Sequence, residues 1–171
     1  MKGPHRNGGV SEMCRQSHSR GGYRLQHGER LLSDLGLSAR ETTVLQIARC
    51  FFQSFAQPAS QGWLTAHRVA AAEIPADHAP ATLCATLEMV QGLRVSRKSI
   101  FRFSTPYCAA CGNILTAHER LLMASLAEFV SGRPEEAQRH ATLLCEGNCM
   151  DEFLSGCEAL AHCIEKSTVK V

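Results

Sequence analysis

The run 116-TAHERLLMASLAEFVSGRPEEAQRHATLLC-145 decides the fold. Thr116-Ala-His-Glu119 is a capping-box pattern: the Thr116 hydroxyl can accept from a first-turn amide while the Glu119 carboxylate reaches back. Leu122, Leu126, Phe129 and Val130 follow at helical spacing, which predicts a helix to about Ser131. Gly132-Arg-Pro134 stops that helix and starts another, since Gly permits the turn and Pro suits a first helical turn. The second helix runs to about Cys145, and Gly147-Asn148 ends it. A helix of about 16 residues climbs ~24 Å and one of about 12 descends ~18 Å. The two therefore make a hairpin that returns Cys145 toward the level of Cys111.

Outward from the hairpin, helical signals continue. Ser38-Ala-Arg-Glu41 is another capping box, opening a helix over 39–57 with Val44, Ile47, Ala48, Phe51, Phe52 and Phe55 on its apolar face. Pro58 breaks the chain, and a second helix over 59–73 places Trp63, Ala66, His67 and Ala70 on one side. Asp77 reads as the N-cap of a third helix over 77–92, with Leu83, Cys84, Leu87 and Val90 inward. The stretch 94-RVSRKSIFRFSTP-106 is rich in Ile, Phe and Val without helical period and reads as a short strand or hairpin. A last helix over 150–166 buries Phe153, Cys157, Leu160 and Ile164. The expected fold class is mainly α: a bundle of about six helices with one short β-like element and a zinc-clasped helical hairpin near the C-terminus.

Residues 1–30 carry six Lys/Arg, two Glu and six Gly, too few apolar groups to offset the entropy of ordering, and read as a mobile basic arm. One helical domain over 31–171 follows, divided into a three-helix part, 31–93, and a part with the basic strand and the clasp, 94–171. Net charge is +2, so any case for nucleic acid must rest on local charge rather than the total. No apolar run approaches the ~20 residues that span a bilayer, and the first residues lack the apolar core of an export signal. The expected compartment is the cytoplasm, where nine cysteines are not explained by structural disulfides.

Four of the cysteines fall in close pairs, Cys108-x2-Cys111 and Cys145-x3-Cys149, with 33 residues between them. Zinc takes four ligands in a tetrahedron with thiolates at about 2.3 Å, and the hairpin is what would bring the pairs together. The expectation is one structural zinc held by Cys108, Cys111, Cys145 and Cys149; four thiolates leave no position open for a catalytic water. Cys50, Cys84 and Cys157 lie on or beside apolar faces and are expected to be buried thiols; Cys14 and Cys163 are expected to be exposed. His118 and His140 are rival ligands or solvated surface groups. Arg94, Arg97, Lys98 and Arg102, with Phe101 and Phe103 beside them, make a basic segment without acids that suits nucleic-acid phosphates, or else a charged edge that resists aggregation.

The Cys108-x-x-Cys111 pair resembles that of helical AhpD-type peroxidase reductases, which implies thiol–disulfide exchange between these two residues. In that family a His follows closely and a Glu stands upstream; here the next His is His118, and no acid lies between Glu88 and Cys108. The phrase 37-LSARETTVLQIA-48 resembles the opening helix of LuxR-type DNA-binding domains, although 58-PASQGWLTAHRVAAAEI-74 departs from their turn and recognition helix. No phosphate-binding glycine loop, nucleophile elbow or zinc-protease motif is present. Three functions are consistent with these residues. The first is a zinc-stabilised regulator or adaptor acting on DNA; the second is a thiol–disulfide oxidoreductase using Cys108 and Cys111. The third is a helical protein-interaction module, or homodimer, in which zinc is purely structural.

Overall fold

A computed structural model describes residues 25–166. Six helices longer than one turn carry them: α1 Ala39–Ala56, α2 Gly62–Glu73, α3 Ala79–Ser96, α4 Ala117–Val130, α5 Pro134–Leu144 and α6 Asp151–Lys166. One two-stranded antiparallel sheet joins β1 Arg30–Leu31 to β2 Ile114–Leu115, with Arg30 opposite Leu115 and Leu31 opposite Ile114. None of the described helices is long and apolar enough to cross a membrane. Of the arm expected over 1–30, residues 1–24 lie outside the described residues, while Arg30 is already in β1.

Local chemistry explains where the helices begin and end. Both capping boxes form: Ser38 Oγ accepts from the Glu41 amide and Thr116 Oγ1 from the Glu119 amide, and each glutamate accepts from its cap's N–H. α1 buries an almost unbroken run from Val44 to Gln53, because it packs on α2 and α3 and also carries the 101–104 segment against Phe52. α4 and α5 form the expected hairpin, and α6 packs against both α3 and α4. The core runs through Leu45, Ile47, Met89, Leu93, Leu122, Leu126, Leu144, Phe153 and Leu160, all essentially without exposure. α3 and α6 make the most extensive helix pair, and glycines set their approach. A Cβ on Gly156 would come 2.5 Å from Met89 Cα, and one on Gly92 would come 2.5 Å from the Phe153 nitrogen.

Several expectations need correction. α2 starts at Gly62 rather than residue 59, because Pro58–Ser60 forms a separate 3-10 turn ending at Gln61 with φ of +50°. The cap of α3 is His78, not Asp77, which lies 3.5 Å from the His78 ring. The inward face of α3 is also turned: Thr82, Leu83, Ala85, Thr86, Met89, Val90 and Leu93 are buried, whereas Cys84 and Leu87 are exposed. Trp63 is half exposed, while its expected neighbours Ala66 and Ala70 are buried.

The largest correction concerns residues 94–106. Arg94, Val95 and Ser96 finish α3, and the remainder has no strand partner; the sheet lies at Arg30–Leu31 and Ile114–Leu115 instead. Side chains replace a neighbouring strand. The amides of Lys98 and Ser99 donate to Glu146, that of Arg102 to His118 Nδ1, and that of Ser104 to Glu119. An extended, Phe-rich segment thus satisfies its backbone without joining a ladder.

Candidate dithiol site

Cys108 precedes, and Cys111 lies within, a single helical turn, Ala109–Gly112. Cys108 takes the capping position, and its sulfur accepts the Cys111 N–H at 3.5 Å. The Gly112 amide closes the turn on the Cys108 carbonyl at 2.8 Å. Both cysteines are half buried. None of the eight described cysteines is in a disulfide.

What holds this turn is a buried ion pair that the sequence reading missed. Arg49, in the middle of α1, and Glu119, in the first turn of α4, have side chains only 2% and 0% exposed. Arg49 Nε donates to Glu119 Oε1 at 2.7 Å and Nη2 to Oε2 at 3.2 Å, a two-point geometry that a guanidinium suits. Its remaining donors reach the Gly112 carbonyl at 2.7 Å and the Ile114 carbonyl at 2.7 Å. Glu119 also accepts from the amides of Ser104 and Thr116, at 3.1 and 2.9 Å. Ser104 Oγ donates to the Ile114 carbonyl at 2.7 Å, and the Asn113 carbonyl accepts from the Leu32 amide at 2.8 Å. Both ends of the Cys108–Cys111 loop are therefore tied to the same buried charges.

The other cysteines stand in different surroundings. Cys145 is fully buried at the end of α5, where desolvation raises its thiol pKa and the Ser96 hydroxyl and Arg97 charge oppose that rise. Cys149 is exposed, with its sulfur 3.6 Å from Asp151 Oδ2. Cys157 is buried next to Cys145, and desolvation pushes its thiol well above the ordinary range. Burial likewise pushes Cys50 up to about 11 against the lowering influence of Arg49. Cys163 is half buried, and Cys14 lies outside the described residues. Among the described residues, no three His, Cys, Asp or Glu side chains gather as a metal-holding group.

The basic segment is divided in use. Arg97 is largely buried: it donates to the Leu144 carbonyl and to Ser99 Oγ at 2.7 Å, and it pairs with Glu146 at 3.0 Å. Arg94 lies over the Phe55 ring at 4.7 Å and donates to Gln91 at 3.1 Å. Lys98 and Arg102 are exposed. His118 packs against Phe101, with ring centroids 5.5 Å apart, and its pKa is lowered first by burial and then by Arg97 and Arg102. His140 is half buried on α5. Compared with known protein families, with characterised proteins and with solved structures, the chain matches none.

Nothing local in the sequence singles out Arg49. Thr42, Gln46, Arg49 and Gln53 recur at helical spacing as the polar stripe of α1, where a cation ordinarily meets solvent. The capping box does not mark Glu119 as buried either, since Glu41 in the other box is only partly covered.

Proposed function

We propose that the chain is a helical thiol–disulfide oxidoreductase whose working pair is Cys108 and Cys111. The observation that carries the reading is the short, anchored turn that places two half-buried cysteines together, with the Cys108 sulfur accepting the Cys111 amide. A hydrogen bond to sulfur favours the thiolate, which is the attacking species in exchange. In the reaction, the Cys108 thiolate attacks a substrate disulfide. One sulfur–sulfur bond forms, the substrate's breaks, and one substrate thiolate leaves and takes a proton. The Cys111 thiolate then attacks Cys108 sulfur in the mixed disulfide and releases the second substrate thiol. Two electrons pass from the protein dithiol to the substrate, and two equivalents of an external thiol restore the starting state.

The test is a metal determination and thiol count on purified protein, followed by equilibration in glutathione buffers and mass spectrometry. A reversible Cys108–Cys111 disulfide in metal-free protein, lost in Cys108→Ser and Cys111→Ser, is expected. About one zinc per chain, with unfolding on chelation, would sink the reading.

That second outcome belongs to a zinc-stabilised regulator. Its support is the α4–α5 hairpin, which puts Cys145 at the end where α4 begins, with Glu146 acting electrostatically on His118. It would hold the metal on Cys108, Cys111, Cys145 and Cys149 and offer Lys98 and Arg102 to nucleic-acid phosphates. It requires buried Cys145 to turn outward and leave Ser96, a rearrangement that the dithiol reading does not need.

A further inference from the structure

We infer that the buried Arg49–Glu119 ion pair is a positioning device for the Cys108–Cys111 couple, setting how readily the two sulfurs join. This inference rests on the dithiol reading. Its basis is where the donors go. Arg49 has five N–H groups, and after meeting Glu119 through Nε and Nη2 it places Nη1 and Nη2 on the carbonyls of Gly112 and Ile114, just after Cys111. Glu119 takes the Ser104 amide just before the loop, and Ser104 Oγ bridges directly to the Ile114 carbonyl. The loop from residue 105 to 113 is thus pinched at its base by one charge pair and one serine.

A pinched loop matters because the closing step is intramolecular. After a mixed disulfide forms on Cys108, its rate and equilibrium depend on how often Cys111 lies in reach, an effective concentration that a fixed turn raises. Arg49 has no reason to be an arginine for packing alone, because an apolar side chain of its size would fill the same space without burying a charge. A lysine there keeps the charge, but as a single point on a flexible stem it cannot hold Glu119 and two carbonyls at once.

The experiment uses the full chain and Arg49→Lys, equilibrated in glutathione buffers, with urea midpoints measured in parallel. Wild-type protein that forms no reversible Cys108–Cys111 disulfide would sink the dithiol reading itself, before the clamp is at issue. If wild type does form it, Arg49→Lys is expected to lower the equilibrium constant for disulfide closure about tenfold, or about 30 mV for a two-electron couple. A constant that is unchanged or raised, with only the urea midpoint lowered, overturns the inference and leaves Arg49 a purely structural residue. Should Arg49→Lys not fold, Ser104→Ala decides: it cuts the bridge to Ile114 while leaving the ion pair. A several-fold drop in the same constant supports the clamp, and an unchanged constant overturns it.

Discussion

Glu146 occupies a backbone position that glycine takes at the equivalent point one helix earlier. α4 ends with Gly132 at φ of +70°, its amide on Phe129, and the Arg133 amide on Glu128. α5 ends with the same pattern, the Gly147 amide on Thr142 and the residue-146 amide on Leu143, but Glu146 holds the left-handed position at φ of +59°. A glutamate there carries strain, and its carboxylate is what offsets it, accepting from the Lys98 and Ser99 amides, the Ser99 hydroxyl and Arg97. Hydrogen bonds from Ser99 and the two amides lower its pKa from 4.5 to about 2. A carboxyl with a depressed folded pKa stabilises fully above its unfolded value, so this contribution is expected to fade as pH falls from 4.5 toward 2. Urea midpoints across that window should drop for wild type and stay flatter for Glu146→Gln. His118 gives a second window. Its Nδ1 accepts the Arg102 amide at 2.8 Å and its folded pKa lies below 6.5, so stability should be complete above 6.5 and decline as pH falls beneath it. His118→Asn, whose side-chain oxygen can accept the same amide, should remove that decline in thermal melts across the same range.

At the scale of elements, the α3–α6 crossing is held close by glycine on both sides. Gly92→Ala or Gly156→Ala should destabilise by about 1–3 kcal/mol in urea unfolding, because each added methyl meets opposing backbone that cannot swing aside. Gly112→Ala, with nothing within 4 Å of an added Cβ, should stay within about 0.5 kcal/mol of wild type. The helices themselves were readable because their signals are local. Both capping boxes, the Pro58 break and the Gly132–Pro134 reversal depend on residues three or four apart, and all are found. The segment 94–106 was misread because its backbone partners are side chains distant in sequence: Glu119 lies 15 residues from Ser104, and Glu146 lies 48 residues from Lys98. A run of β-formers announces extended backbone, and it does not announce what the amides will find. The C-x-x-C turn was legible in outline for the same local reason, while its anchor spans 70 residues between Arg49 and Glu119 and left no local trace.

For the whole molecule, the ion pair joins α1, α4, the 104 segment and the dithiol loop by charge. Arg49→Met should cost about 3–5 kcal/mol, since it strands a buried carboxylate. Adding Glu119→Leu should recover only part of that loss in urea unfolding. The double change would leave the Ser104 and Thr116 amides and the Gly112 and Ile114 carbonyls without these partners.

The Ser104 amide carries a consequence of its own. Its hydrogen points at a carboxylate with no exposure, so solvent deuterium reaches it only when that hydrogen bond opens. Its exchange should therefore be slow, even though the residue sits in an irregular segment. The cysteine loop beside it is then a surface feature whose protection is set by a buried charge pair at its base.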